Sequence, residues 1–470
     1  MGSNFEEEEG NHVARNWEVN KEQLADIKEE IERCIKGLQS NIAARSSCCI
    51  YKVPLKLKEN NGKNWYSPRI VSIGPHHYDG RDLNGDYKYQ CLGSFLSRTK
   101  AKGIGLEHYM QKLYPHETKA RQCYSPQPHI NHISTDGFLE MMVVDGSFIL
   151  ELFYNFHDLR LLEISDPLAH LKWRLPYFYV DLLLLENQIP FFVLQQLFDI
   201  SYKMPDGPSL TLLALRFFNN VMRRPSEVIE RYANSENPPP LHLLDLVRSS
   251  LIPNHPTPPL KDADTHIQFI PCISNLRRSG IRVRPGKADS FLEVKFKNGV
   301  VEMPSITVNV FKRSLLLNCV AFEECHESIS IRENESSTQR AINNSKVVTV
   351  YATFLDCLVN TTEDVQYLRE RNVIENVIDN DPADDDNVAL FINNLCKGLN
   401  FDKSHFYLDK VFKDVDDYHR NVCNVHCASF RHKYLNSPWS CISVLAATVL
   451  LLLTIAQTYY AVIGYVHPKK

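Results

Sequence analysis

The sequence predicts a mainly α protein: a large helical globular domain with a small β-hairpin or sheet insertion, ending in one transmembrane helix. Three observations predict it. Ile442 to Ile463, ISVLAATVLLLLTIAQTYYAVI, carries no charge, and as a helix it would rise about 33 Å, the thickness of a bilayer's hydrocarbon core. Most of the chain before it alternates apolar and polar residues at helical spacing. Two stretches, Ile281 to Pro285 and Phe291 to Val310, alternate at period two, and Asn298-Gly299 between two such runs is a strong hairpin signal.

The 470 residues, 44% of them hydrophobic and 23% charged, are those of an ordinary folded protein able to bury a sizeable core. A formal net charge of -4 gives no global attraction to nucleic acid, and none is expected as a partner. The one basic cluster, Arg277, Arg278, Arg282 and Arg284, reads as solvated surface. Three units are expected: an acidic N-terminus with an amphipathic helix (1–45), a globular domain (46–430), and a juxtamembrane segment with the spanning helix (431–470). The N-terminus has no apolar core or basic leader, so no signal peptide is expected, and Glu6 stands where a myristoylation pattern wants Ser or Thr. Thirteen scattered cysteines fit reduced thiols better than a secreted disulfide framework. The sequons at Asn334, Asn343 and Asn360 would matter only on a translocated domain.

In chain order, Leu24, Ile27, Ile31, Cys34 and Leu38 form an amphipathic seam that suits packing on its own domain or pairing with a partner helix. Cys48 to Gly80 is irregular, broken by Pro54, Pro68 and Pro75, with Ile70 to Ile73 expected as a short strand before a Gly74-Pro75 turn. His76 and His77 are adjacent, cannot share one face, and predict no metal site. Phe138 to Tyr154 reads as an apolar helix interrupted by Asp145 and Gly146. Asp181 to Phe198 is a second such run, interrupted by Glu186, Asn187 and Gln188, with Pro190 suiting the first turn of a further helix. Buried carboxylates and amides must find partners, so this polar knot is either a structural network or a site.

Further on, Ile252 to Asp264 is expected as a long exposed loop, and Asp379 to Asp386 as a solvated acidic one. Helical patterns fill Leu315 to Cys325 and Val347 to Ile374. His419, Cys423, His426 and Cys427 fall on one helical face, which suits a buried seam better than a zinc shell. Neither G-x-S-x-G, Walker, G-x-G-x-x-G nor H-E-x-x-H motifs occur. Glu324, Cys325 and His326 set a thiol beside an imidazole, but neighbours on a helix point about 100° apart. No catalytic residue, cofactor or metal is predicted.

The residues also carry a resemblance. Ile50 to Pro54 (IYKVP), Ser72 to His77 (SIGPHH), MMVVDGSFILEL, Leu182 to Leu194 (LLLLENQIPFFVL), HLLDLVRSSL, FKNGVVEMP, LLLNCVAFEECH, SPWS and the terminal helix occur in one order. In this the chain resembles the plant family called domain of unknown function 247, over about residues 46 to 465. The Met-Glu-x-x-Lys pattern usual in relatives is lost around Asp86 to Gln90. The resemblance implies a plant membrane protein, and some grass relatives are proposed as pollen-side recognition components in self-incompatibility. It carries over no catalytic residue, and leaves Tyr51, Pro54, Gly74, Pro75, His77, Asp145, Gly146, Glu186, Asn187, Gln188 and Pro190 as motif positions of unknown role.

The expected function is therefore recognition or signalling by a single-pass protein. The expected partners are the lipid bilayer, through the terminal helix, and a protein or peptide. The plasma membrane is the expected location and an endomembrane the alternative, with the domain on the cytosolic side as in a tail-anchored protein. Two other readings stay open: a membrane-bound hydrolase or transferase using Asp145, Glu186 and His77, and a structural homo-oligomer. Thr448, Thr454 and Gln457 recur at near-helical spacing and would suit helix pairing in the membrane.

Overall fold

The computed structural model of the chain describes residues 28–30, 32, 47–78, 85–100, 102–156, 169–202, 207–253, 269–330, 346–376, 385–399, 406–434 and 438–466. The Leu24 to Leu38 seam, Asn334, Asn343 and nearly all of the Ile252 to Asp264 loop thus lie outside the described residues.

The first half contributes α1 (Leu55–Asn61), α2 (Gly85–Lys100), α3 (Glu117–Gln122), α4 (Thr135–Phe156), α5 (Leu175–Asp181), α6 (Phe191–Ser201), α7 (Leu210–Met222) and α8 (Leu243–Leu251). Then come β1 (Arg282–Pro285), β2 (Lys295–Lys297), β3 (Val300–Met303) and β4 (Ile306–Val308). The second half adds α9 (Val310–Ser330), α10 (Val347–Leu358), α11 (Thr362–Glu370), β5 (Ile374–Asn376), α12 (Asp385–Leu395), α13 (Asp409–Arg420), α14 (Val422–Tyr434) and α15 (Pro438–Val466). The mainly α class with a small sheet is what the sequence predicts.

Two long helices organise the packing. α4 lies against α2, α6 and α7, while α9 lies against α5, α8, α10 and α12, and a continuous hydrophobic cluster runs through both groups. Asp145 and Gly146 do not interrupt α4. The aspartate is hydrogen-bonded within the fold, and the glycine lets α6 come close, since a Cβ there would sit 2.3 Å from Leu197 Cδ1.

Asn298 and Gly299 both adopt positive φ (51° and 74°), as a two-residue hairpin turn requires, and they join β2 to β3 antiparallel. β1 pairs parallel to the other side of β3. A second pairing escaped the sequence: Ile374–Asn376, whose first residue ends the expected helical stretch, pairs parallel with β4. α11 stops because Asn372 takes φ 56°, a left-handed conformation that Asn tolerates.

Other expectations change. Ile70 to Ile73 forms no strand, because side chains rather than a neighbouring strand take its amides. The Asp181 to Phe198 run is not one helix: Leu182 to Ile189 turns tightly between α5 and α6, and Pro190 precedes α6. Asp385 is buried at the start of α12 and paired with Arg369 at 2.7 Å, so this end of the acidic run is no solvated loop. The His419 to Cys427 face is broken at Asn421, between α13 and α14; His419 instead contacts Ser279 Oγ at 2.6 Å, and Cys423 and Cys427 are exposed rather than buried. Among the described residues no group of three or more His, Cys, Asp or Glu is placed to hold a metal. Arg277, Arg278, Arg282 and Arg284 are exposed, as expected of a solvated surface.

Within α15, Ile442–Ile463 is long and apolar enough to cross a membrane, and it is not buried against the other described residues. A core helix is thereby excluded. Thr448 and Thr454 turn their hydroxyls back to the carbonyls of Val444 and Leu450.

Candidate functional site

The motif residues assemble around the segment Tyr51 to His77, whose stretches Tyr51 to Pro54 and Ser67 to Gly74, on either side of α1 and a short 3-10 turn, form neither helix nor strand. Its main-chain groups therefore need partners from elsewhere, and the polar knot between α5 and α6 supplies them. Asp181, fully buried, accepts the amides of Arg69 (2.9 Å), Ile70 (2.8 Å) and Val71 (3.0 Å). Asn187 accepts the Ile73 amide at 2.6 Å and donates to the carbonyls of Val71 (3.0 Å) and Asp181 (2.8 Å). Asp145 on α4 accepts the next amide, Gly74, at 2.7 Å, and pairs with the buried Lys88 at 2.7 Å. The first of these amides is 112 residues from its acceptor.

Glu186 closes the other end. It is fully buried, accepts the Val53 amide at 2.8 Å, and meets Lys58 at 2.6 Å and Lys52 at 3.1 Å. His77 Nε2 faces it at 3.4 Å. Burial would raise the Glu186 pKa, but the Lys58 hydrogen bond, the two ammonium charges and the Val53 amide outweigh that and hold the carboxyl below its ordinary range. Burial pushes the His77 pKa down to about 4 against the pull of Glu186, so the imidazole is neutral near pH 7.

The remaining motif positions set the local geometry. Gly74 has φ 69°, and a Cβ there would lie 2.5 Å from the Gln188 carbonyl oxygen. The Tyr124 hydroxyl donates to that same carbonyl at 3.1 Å. Gln188 folds its own turn, donating to Leu182 O (2.8 Å) and Leu184 O (2.9 Å) and accepting from the Leu244 amide (3.2 Å). Pro75 opens a short 3-10 turn, and its carbonyl faces His129 Nε2 at 3.2 Å. Pro54 and Pro190 stand immediately before α1 and α6, where a missing amide costs nothing. The Tyr51 hydroxyl donates to Cys48 O at 2.6 Å and faces His326 Nδ1 at 2.9 Å.

Sequence reasoning missed equally buried partners. Asn318 on α9 accepts the Leu185 amide (2.9 Å) and donates to Trp65 O (3.0 Å). Arg248 on α8 donates to Glu323 at 2.7 Å, and that carboxylate also accepts the amides of Val348 and Thr349 at the start of α10. Glu151 gathers Arg98, Tyr202 and Asn155. Each directly follows apolar residues in the sequence: LLL before Asn318, LV before Arg248, VAF before Glu323 and FIL before Glu151. That signal was present for Asp145 and Glu186 as well, but a periodicity reading gives it no address.

Beside this network lies a cavity of about 640 Å³, lined by Cys48, Cys49, Lys119, Cys123, Phe192 and Asn237 among others. Neither Asp145, Glu186 nor His77 lines it. Glu186 and His77 adjoin, whereas the Asp145 oxygens are taken by Gly74 and Lys88.

The site is thus a buried polar clamp in a helical domain followed by a bare apolar helix. The family described as "Plant protein of unknown function" (DUF247) matches residues 50–453, and the chain belongs to this family. It is similar to UPF0481 protein At3g47200 of Arabidopsis thaliana, 32% identical over 91% of this chain and 89% of the relative. It is also similar to the Arabidopsis thaliana UPF0481 protein At3g02645, at 22% identity over 87% of this chain and 89% of that one. No solved structure matches the chain.

Proposed function

We propose that this is a membrane-anchored plant protein that acts by recognising another protein or peptide and signalling that event, rather than by catalysis. The observation that carries the anchoring is the Ile442–Ile463 helix, uncharged, predominantly apolar and not buried against the other described residues. Its exposed Trp439 and Tyr459 suit the two membrane interfaces. The non-catalytic reading is supported by the motif residues themselves: Asp145, Glu186, Asn187 and Gln188 spend their polar atoms on the protein's own main chain and lysines. The plasma membrane is the proposed location, and pollen–stigma recognition the process suggested by the family resemblance.

Proximity labelling from the full-length chain in plant membranes tests the reading. A reproducible partner above the general membrane background is expected; background alone would overturn the recognition role. The hydrolase or transferase alternative requires Asp145, Glu186 and His77 to act round one pocket, and their separate engagements speak against it.

A further inference from the structure

We propose that Cys49 and Cys123 are a dithiol exchange site in the wall of the cavity, whose co-substrate is a small-molecule disulfide of the glutathione type. The proposal is independent of any partner the protein recognises.

The geometry begins with the backbone. Cys49 and Ile50 both donate their amides to the Cys123 carbonyl, at 2.9 and 2.8 Å, and the Ser125 amide donates to Ile50 O at 2.9 Å. Ile50 and Tyr124 form a parallel bridge, which sets Cys49 beside Cys123, the residue that caps α3, and both line the cavity. The 2.9 Å bond from the Cys49 amide to the Cys123 carbonyl holds the two residues within the roughly 4.4–6.8 Å that a disulfide requires between Cα atoms. The Cys123 thiol donates to the Lys119 carbonyl at 3.4 Å, and its interaction with the Cys49 thiol drives the pKa values of the two apart. A bond between the sulfurs therefore needs little backbone movement.

Access and charge come from the cavity. Both thiols line it, although Cys49 is only 3% exposed and Cys123 8%, and its volume of about 640 Å³ falls within the size of small-molecule sites. The hydrogen bond from Cys49 lowers the Cys123 pKa, burial opposes this, and the Lys119 ammonium adds to the lowering. Cys49 moves the other way, raised first by that same hydrogen bond and then by burial. Coupled thiols give up their first proton as a pair, and Cys123 is the easier of the two to ionise. Other thiols lack this combination: Cys319 and Cys396 are buried in the core with raised pKa values, and Cys423 and Cys427 are exposed on α14.

The chemistry balances. The Cys123 thiolate attacks one sulfur of the disulfide RSSR, giving a mixed disulfide and one RS⁻. Cys49 then loses its proton and attacks the Cys123 sulfur, forming the Cys49–Cys123 bond and releasing the second RS⁻. Protons return both leaving groups to thiols, so the protein dithiol is oxidised by two electrons and RSSR is reduced to two RSH.

The full-length chain in detergent, exposed to graded ratios of oxidised to reduced glutathione, then alkylated and peptide-mapped by mass spectrometry, tests this. The expected result is a Cys49–Cys123 crosslinked peptide at ratios that leave Cys423 and Cys427 alkylated. Cys49→Ser is expected to trap glutathione on Cys123, and Cys123→Ser to leave Cys49 unmodified, each with an unchanged circular dichroism spectrum. Modification of Cys423 and Cys427 while Cys49 and Cys123 stay reduced overturns the proposal, as does a disulfide that joins Cys48 instead. The wild-type mapping decides the matter without either variant.

Discussion

Glu186 accepts the Val53 amide at 2.8 Å across 133 residues of sequence, from a position with no solvent exposure. Buried carboxylates are costly unless fully partnered, and this one has an amide and two lysines. Replacing it with alanine orphans all three. Glu186→Ala is expected to lose about 3–5 kcal/mol of stability, and Glu186→Gln about 1–3 kcal/mol, because the amide acceptor survives while the charge is lost. Urea unfolding of the full-length protein in detergent measures both, and equal losses would refute the role given to the charge.

Gly74 and Gly93 make a matched pair. At Gly74 a methyl group meets a carbonyl oxygen at 2.5 Å on a backbone with φ 69°, whereas at Gly93, exposed on α2, it meets nothing within 4 Å. Gly74→Ala is expected to abolish or severely reduce folded yield. Gly93→Ala should stabilise α2 by about 0.5–1 kcal/mol. Thermal unfolding of the two variants checks the opposite signs.

His76, His77 and His242 are held neutral, with pKa values lowered by burial to about 4. Between about pH 6.5 and 4 the unfolded chain binds protons at these positions and the folded one does not, so stability is present above that window and falls as the pH falls through it. Each pH unit across which His242 is protonated only in the unfolded chain removes about 1.4 kcal/mol, so this residue alone accounts for roughly 3 kcal/mol. His242→Gln should flatten the decline in a pH series of urea midpoints; an unchanged slope would contradict it.

Leu451 is 62% exposed in the middle of the bare helix. Arginine near a bilayer centre costs about 2.5–3.5 kcal/mol of insertion. Leu451→Arg is therefore expected to shift the protein out of the membrane fraction on carbonate extraction, while the unfolding midpoint of the helical domain stays unchanged. A fall in that midpoint would mean that the helix packs on the domain.

Some elements were legible because their signals are local. Asn298-Gly299 announces a two-residue hairpin through backbone conformations that few other residues accept, and the turn forms there. Other elements depend on groups distant in sequence. Ile70 to Ile73 has strand-like composition, yet Asp181 and Asn187 take the hydrogen bonds a neighbouring strand would have taken. Ile374–Asn376 becomes a strand by lying beside Ile306–Val308, a pairing that no window along the chain contains. Asp145 looks like a helix breaker until the Gly74 amide and Lys88 are placed against it.

By itself, then, the sequence determined the mainly helical class, the hairpin, and an uncharged stretch of 22 residues able to span a bilayer, since periodicity, turn chemistry and apolar length are properties of neighbouring residues. Only the tertiary structure decided that Asp145, Asp181, Glu186 and Asn187 bind the backbone of Val53 to Gly74 instead of lining a pocket, and that Cys49 meets Cys123. The reason is physical: a buried polar atom is defined by its hydrogen-bond partner, and for Glu186 that partner lies 133 residues away.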